Sequence, residues 1–160
     1  MEIRNRWTGE VLATVAGDTL TRANLTGAKL TDANLTGADL TDANLTGANL
    51  TGADLTEISA DLAEVLSHAP QEAPALLVAL RDGRVDGSCY EGVCACLVGT
   101  LAKARGCVYT EVPGVTPDSG RPAERWFLAI RPGDTPATSP IVRLTADLIT
   151  AWIARQPATA

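Results

Sequence analysis

Aromatic side chains are scarce. Three Trp, two Tyr and one Phe make up 4% of 160 residues. Packing must therefore rest on Leu, Val, Ile and Ala, and an apolar content of 46% supplies enough of them for a core. No run of about 18 apolar residues occurs, so a membrane-spanning helix is not expected. The opening MEIRNRWTGE is charged and lacks an apolar stretch, unlike a secretory signal. A cytoplasmic chain follows as the expectation, with Cys89, Cys94, Cys96 and Cys107 as reduced thiols and not bridges. There is one histidine, His68, so a catalytic imidazole must be that residue. No GxxxxGK[ST], strand-borne GxGxxG, HExxH or GxSxG occurs, which leaves phosphate-loop, dinucleotide, zinc-protease and serine-hydrolase chemistry without a motif. Lysine is nearly missing: eleven of the thirteen basic residues are Arg.

What is present begins with a repeat. Residues 23–57 read ANLTG AKLTD ANLTG ADLTD ANLTG ANLTG ADLTE, seven units of five residues. A period of five fits neither a helix nor a flat strand. It fits a coil that turns a corner every five residues. Leu25, Leu30, Leu35, Leu40, Leu45, Leu50 and Leu55 then point inward. Ala23, Ala28, Ala33, Ala38, Ala43, Ala48 and Ala53 also point inward, where only a small side chain fits. The polar second position, the Thr and the fifth residue face out. The phase continues backward through Leu20, Val15 and Ala13.

This segment, about residues 13–57, resembles the pentapeptide repeat proteins. The resemblance implies a right-handed quadrilateral β-helix with four units to a coil, here about two coils. Leu25 would lie under Leu45, Leu30 under Leu50 and Leu35 under Leu55. The family resemblance also suggests a partner. Some members bind DNA gyrase through an acidic surface that imitates duplex DNA. Asp39 and Asp42 would share one face and Asp54 and Glu57 the adjacent one, with Lys29 and Arg22 at the opposite corner. About two coils span only about 10 Å at strand spacing, short for a groove-filling rod. The Thr column suits outward strand positions, since Thr is β-branched.

The rest of the chain reads as helices. Trp7-Thr8-Gly9 reads as a turn between extended pieces at 2–6 and 10–15, with Trp7 as a lid over the first Leu layer. A partner-contacting role for Trp7 stands beside that reading. After Glu57 the period breaks. Ser59 reads as the N-cap of a helix over 60–69. Further helices are expected at 73–81, 93–105 and 122–131, with a last one from Pro140 to about Arg155. Residues 107–112 read as extended. The division is a cap and β-helix, 1–57, followed by a small mainly α-helical domain, 58–160. The fold class is thus β plus α. With the stretches EAPALLVALRDGRVDGSCYEGVCACLVGT and SGRPAERWFLAIRPGDTP, residues 58–160 resemble domains that follow pentapeptide repeats in phages and high-GC bacteria, which makes a phage-encoded chain and a bacterial or phage-infected host part of the expectation.

Net charge is −6. Residues 1–17 are neutral, 18–57 carry −4 and 58–160 carry −2. An acidic chain has little reason to grip phosphate backbones, so no direct nucleic-acid binding is expected. The cysteines follow Cys-x4-Cys-x-Cys-x10-Cys, which lacks the paired spacing of a structural zinc site. Cys94 opens a predicted helix after a Gly-containing turn, where a helix N-terminus lowers a thiol pKa. It is the candidate nucleophile, with His68 as its base and Cys89 the runner-up. Buried packing thiols are the alternative. The leading expectation is a non-enzymatic structural or protein-interaction module without metal or cofactor, binding an unidentified protein partner and no membrane. Self-association, an acidic gyrase-binding mimic and a Cys94–His68 enzyme are the alternatives.

Overall fold

The computed structural model describes residues 1–87, 96–115, 118 and 120–157. The chain opens with an antiparallel hairpin of β1 (Glu2–Arg4) and β2 (Val11–Thr14). The five-residue units follow. Five helices come after them: α1 (Thr56–His68), α2 (Ala73–Arg81), α3 (Leu97–Arg105), α4 (Pro122–Phe127) and α5 (Pro140–Ala154).

Each unit of the repeat closes a tight turn. The amide of Ala23 donates to Leu20 O at 3.0 Å. The same bond recurs from Ala28, Ala33, Ala38, Ala43, Ala48 and Ala53 to the Leu three residues earlier, all within 2.9–3.1 Å. The third residue of every turn has positive φ: Arg22, Asp32 and Asp42 at 56–57°, and Gly27, Gly37, Gly47 and Gly52 at 66–70°. A type II turn demands this conformation, and Gly, Asn and Asp tolerate it best. The fifth position is therefore chosen by the backbone, not by an outward partner.

Successive turns stack. Asn24 pairs in parallel with Asn44, Lys29 with Asn49 and Asn34 with Asp54. The offset is twenty residues, or four units, each time. The bonds are regular: Leu25 N–H to Asn44 O at 2.8 Å, Asn44 N–H to Ala23 O at 2.9 Å, Leu30 N–H to Asn49 O at 2.8 Å and Asp54 N–H to Ala33 O at 2.8 Å. Each contact is a single bridge, because a corner follows at once. The only ladder with more than one pair among the described residues is the hairpin. Leu20 and every Leu from Leu25 to Leu50 are buried, whereas Leu55 is half-buried. Full burial of one such side chain contributes roughly 1.5–3 kcal/mol.

Trp7 does not cap the coil. It is 73% exposed. The cap is β1 itself: Asn34 N–H donates to Arg4 O and Arg6 N–H to Asp32 O, both at 2.8 Å, and Ile3 is 1% exposed. The open edge at Asp32–Asn34 needs backbone partners before it needs an apolar lid, and a strand supplies them.

The repeat ends because its eighth corner becomes a helix. Ser59 N–H donates to Leu55 O at 2.8 Å. α1 thus starts at Thr56, ahead of the expected Ser59 cap. Ser59 lies inside it, its hydroxyl donating to Thr56 O at 3.0 Å. The acidic Glu57 sits in the first turn, where a helix favours negative charge.

α2 spans the expected residues. α3 starts at Leu97, later than the expected 93, because Cys96 is extended (φ −65°, ψ −176°) and serves as its N-cap; it ends on left-handed Gly106. The stretch expected to be extended forms a 3-10 turn at Tyr109–Glu111. α4 stops at Phe127, not Arg131. Its continuation is diverted by Gly87, whose amide donates to Ile130 O at 3.0 Å. Ser139 caps α5 as its sequence suggests, its hydroxyl accepting from Val142 N–H at 3.5 Å. Trp126 and Phe127 fill the helical core, and the Trp126 indole donates to Thr145 Oγ1 at 2.8 Å.

The cysteines are not all reduced. Cys96 is disulfide-bonded and buried, and its sulfur caps α3 by accepting from Gly99 N–H at 3.4 Å. Cys107 is a free, half-buried thiol.

Candidate functional site

The second position of each unit acts on its own backbone. Asn24, Asn34, Asp39, Asn44, Asn49 and Asp54 each turn Oδ1 back to accept from the Thr amide two residues on, at 3.0–3.2 Å. Asn24, Asp39 and Asp54 also accept from that Thr hydroxyl, at 2.6–2.7 Å. These are Asx turns. Lys29 carries no acceptor and cannot make one.

The four carboxylates of the expected acidic surface therefore have internal duties. Asp39 is half-buried. Burial raises its pKa, but the Thr41 hydroxyl and amide, with Arg125 nearby, hold it below the ordinary 3.8. The Thr56 hydroxyl and amide, with Arg6, hold Asp54 below the same value. The Arg6 guanidinium stands 3.3 Å from Asp54 and 4.7 Å over the Trp7 ring. Glu57 accepts from Gly37 N–H at 3.0 Å. Asp42 faces Arg22 at 3.6 Å, and its carbonyl accepts from Arg131 at 3.2 Å. Arg22 thus lies beside Asp42, one stacked turn away, and not at an opposite corner. Arg6, Arg22, Arg125 and Arg131 break up the acidic edge.

The hairpin tip is pinned. Asn5 Oδ1 accepts from the amides of Trp7 and Thr8 at 2.8 and 2.9 Å, and Arg4 donates to Gly9 O at 2.7 Å. Trp7 is therefore presented on an ordered turn.

Among the described residues no thiol stands beside His68. Cys94 and Cys89 lie outside the described residues. Cys96 is bonded. His68 is exposed at the end of α1, where its backbone carbonyl accepts from Arg105 at 3.3 Å. Its ring packs over Gly114 so closely that a Cβ there would sit 2.3 Å from Nδ1. Among the described residues no three Cys, His, Asp or Glu side chains are placed to hold a metal ion.

Two charged contacts went unforeseen. Asp61 on α1 accepts from Arg121 at 2.6 and 2.9 Å and from Ala123 N–H at 2.8 Å, tying α4 to α1. Glu72 pairs in a fork with Arg105 at 2.8 and 3.0 Å, joining α2 to α3; that bond holds its carboxyl below the ordinary 4.5. No local sequence signal marks either, because the partners lie 60 and 33 residues apart. A groove of about 490 Å³ between α2 and α3, lined by Ala75, Val78, Ala79 and Thr100 with Arg84 and Lys103, was also not foreseen.

Residues 20–56 match the family of pentapeptide repeats, in eight copies. That is about a quarter of the chain. No curated protein and no solved structure matches the chain.

Proposed function

We propose that this chain, whose residues 20–56 are pentapeptide repeats, is a non-enzymatic scaffold that presents a stiff surface to a protein partner. Proteins built on these repeats are in general interaction modules and not enzymes. In this reading the repeat is a right-handed, four-sided β-helix of about two coils. Residues 1–57 form the presenting part and residues 58–160 a helical domain that buttresses it.

One observation carries the proposal. Six second-position side chains and all seven turn residues are committed to backbone geometry. A surface so constrained loses little conformational entropy on binding, which favours recognition by shape. The acidic-mimic and thiol-enzyme alternatives gain no such support. Asp39, Asp42, Asp54 and Glu57 are bonded within the chain. No helix among the described residues is long and apolar enough to cross a membrane.

The test is capture from a lysate of the source cells with the full chain as bait. Leu40→Asp, which places a charge in the Leu column, is the comparison. Stoichiometric retention of a protein by wild type, lost with Leu40→Asp, is expected. Equal retention by both baits, or thiol-dependent turnover of a small ester without any retained protein, would overturn the proposal.

A further inference from the structure

The capping hairpin ends in an unguarded strand edge. Met1 and Val15 exchange hydrogen bonds, at 2.9 Å in each direction, and Asn5 N–H donates to Glu10 O at 2.8 Å. Antiparallel pairs alternate between bonded and non-bonded positions. Glu2 and Thr14, paired between these bonded positions, therefore turn their peptide groups outward. Beyond Glu2, the Arg4 carbonyl and the Arg6 amide meet the repeat, at Asn34 and Asp32. On β2 no described residue meets the outward groups of Thr14.

Exposed edges are normally blocked by charge, Pro or a bulge. The run from Val11 to Ala16 has no charge, no Pro and no Gly. Its only guard is the irregularity at Leu12, opposite the Ile3/Arg4 step. Apolar surface gathers at the same place. Five large apolar side chains are exposed among the described residues, and three of them are on this hairpin: Met1 at 43%, Trp7 at 73% and Val11 at 39%.

Charge and symmetry fit a second copy as the occupant. Residues 1–17 balance Arg4 and Arg6 against Glu2 and Glu10, so the whole net charge of −6 lies on the rest of the chain. Two copies meeting by the acidic repeat, whose residues 18–57 carry −4, set like charge against like charge. Meeting by the hairpin, they do not. An antiparallel edge contact is also self-complementary, as a two-fold dimer requires.

We propose that two copies of this chain pair antiparallel through β2, each covering the other's Val11 and Trp7. The contact extends the short run of strands from Asp54 through Asn34, β1 and β2 into the partner. The hairpin is small beside the ~1,200–2,000 Å² of a standard interface, so the dimer forms at high micromolar concentration.

Sedimentation of the full chain from about 5 to 500 µM tests this. The wild-type mass should rise from 16.6 kDa toward twice that value. Val11→Lys should hold the monomer mass throughout, with an unchanged circular dichroism spectrum. Trp7→Ala, on the exposed tip, should weaken association at least threefold and serves should Val11→Lys misfold. Val108→Lys, at an exposed apolar site outside the hairpin, should leave the dimer intact. A wild-type chain that stays monomeric, association that survives both hairpin variants, or its loss in Val108→Lys would overturn the proposal.

Discussion

At the scale of the residue, the repeat is a set of backbone requirements written in side chains. Position five must reach positive φ, which costs an ordinary L-residue roughly 1–2 kcal/mol. Arg22 bears that cost at φ 57°, while its ion pair with Asp42 is long and its side chain is 81% exposed. Such a pair contributes little. Arg22→Gly should therefore raise stability by up to about 1 kcal/mol in urea unfolding, after the entropy that Gly adds to the unfolded chain. The opposite change, Gly27→Ala at φ 66° with open space around it, should cost about 1 kcal/mol. Lys29 is the one second-position residue without an Asx turn. Lys29→Asn should add about 0.5–1 kcal/mol by supplying the acceptor, and amide exchange at Thr31 should slow. The Leu and Ala columns were legible because burial acts through period alone. The Asn/Asp and Gly/Asp columns were read as outward surface because their work is done on their own main chain. Gly at four of seven turn positions was the available signal for φ.

At the scale of the element, capping and breaking residues place both ends of α2 and α5 and the C-terminal end of α3. They fail where a distant contact decides. α1 starts early because Leu55 O is already the first helical acceptor. α4 ends early because Gly87 presses on it: a Cβ at that position would lie 1.7 Å from Phe127 O. Gly87→Ala should therefore cost at least about 3 kcal/mol, seen as a lowered urea midpoint, since the clash is with backbone and cannot be relieved by a rotamer. The hairpin carries the same lesson. From sequence, Trp7 looked like a lid, because apolar side chains usually cover open ends. The end of a stacked coil exposes peptide groups as well as leucines, and β1 satisfies both.

At the scale of the whole molecule, charge and backbone join the repeat to the helices. Arg131 reaches Asp42 O, and Arg125 acts on Asp39. The carboxyls of Asp39, Asp54 and Glu72 are all held below their ordinary values. A depressed folded pKa gives stability that is complete above the unfolded value and lost as pH falls through the folded one. Thermal stability should thus stay level from neutral pH to about 5 and fall below about 4. Glu72→Gln should lower Tm by several degrees at pH 7 and by less at pH 3, because below the ordinary 4.5 the unfolded carboxyl is protonated and the stability from the lowered folded pKa is already shrinking.

The stacking register of the repeat shares one hydrophobic core with the helices. Native-state hydrogen exchange of single amides tests it most directly. The amides of Leu25, Leu30, Asn44, Asn49 and Asp54, which cross between turns twenty residues apart, should be strongly protected. They should open with the same free energy as amides in α2 and α5. Those of Asn24 and Lys29, which meet no described backbone acceptor, should exchange fast. Uniformly fast exchange from 20 to 55 beside protected helices would contradict both the register and the shared core.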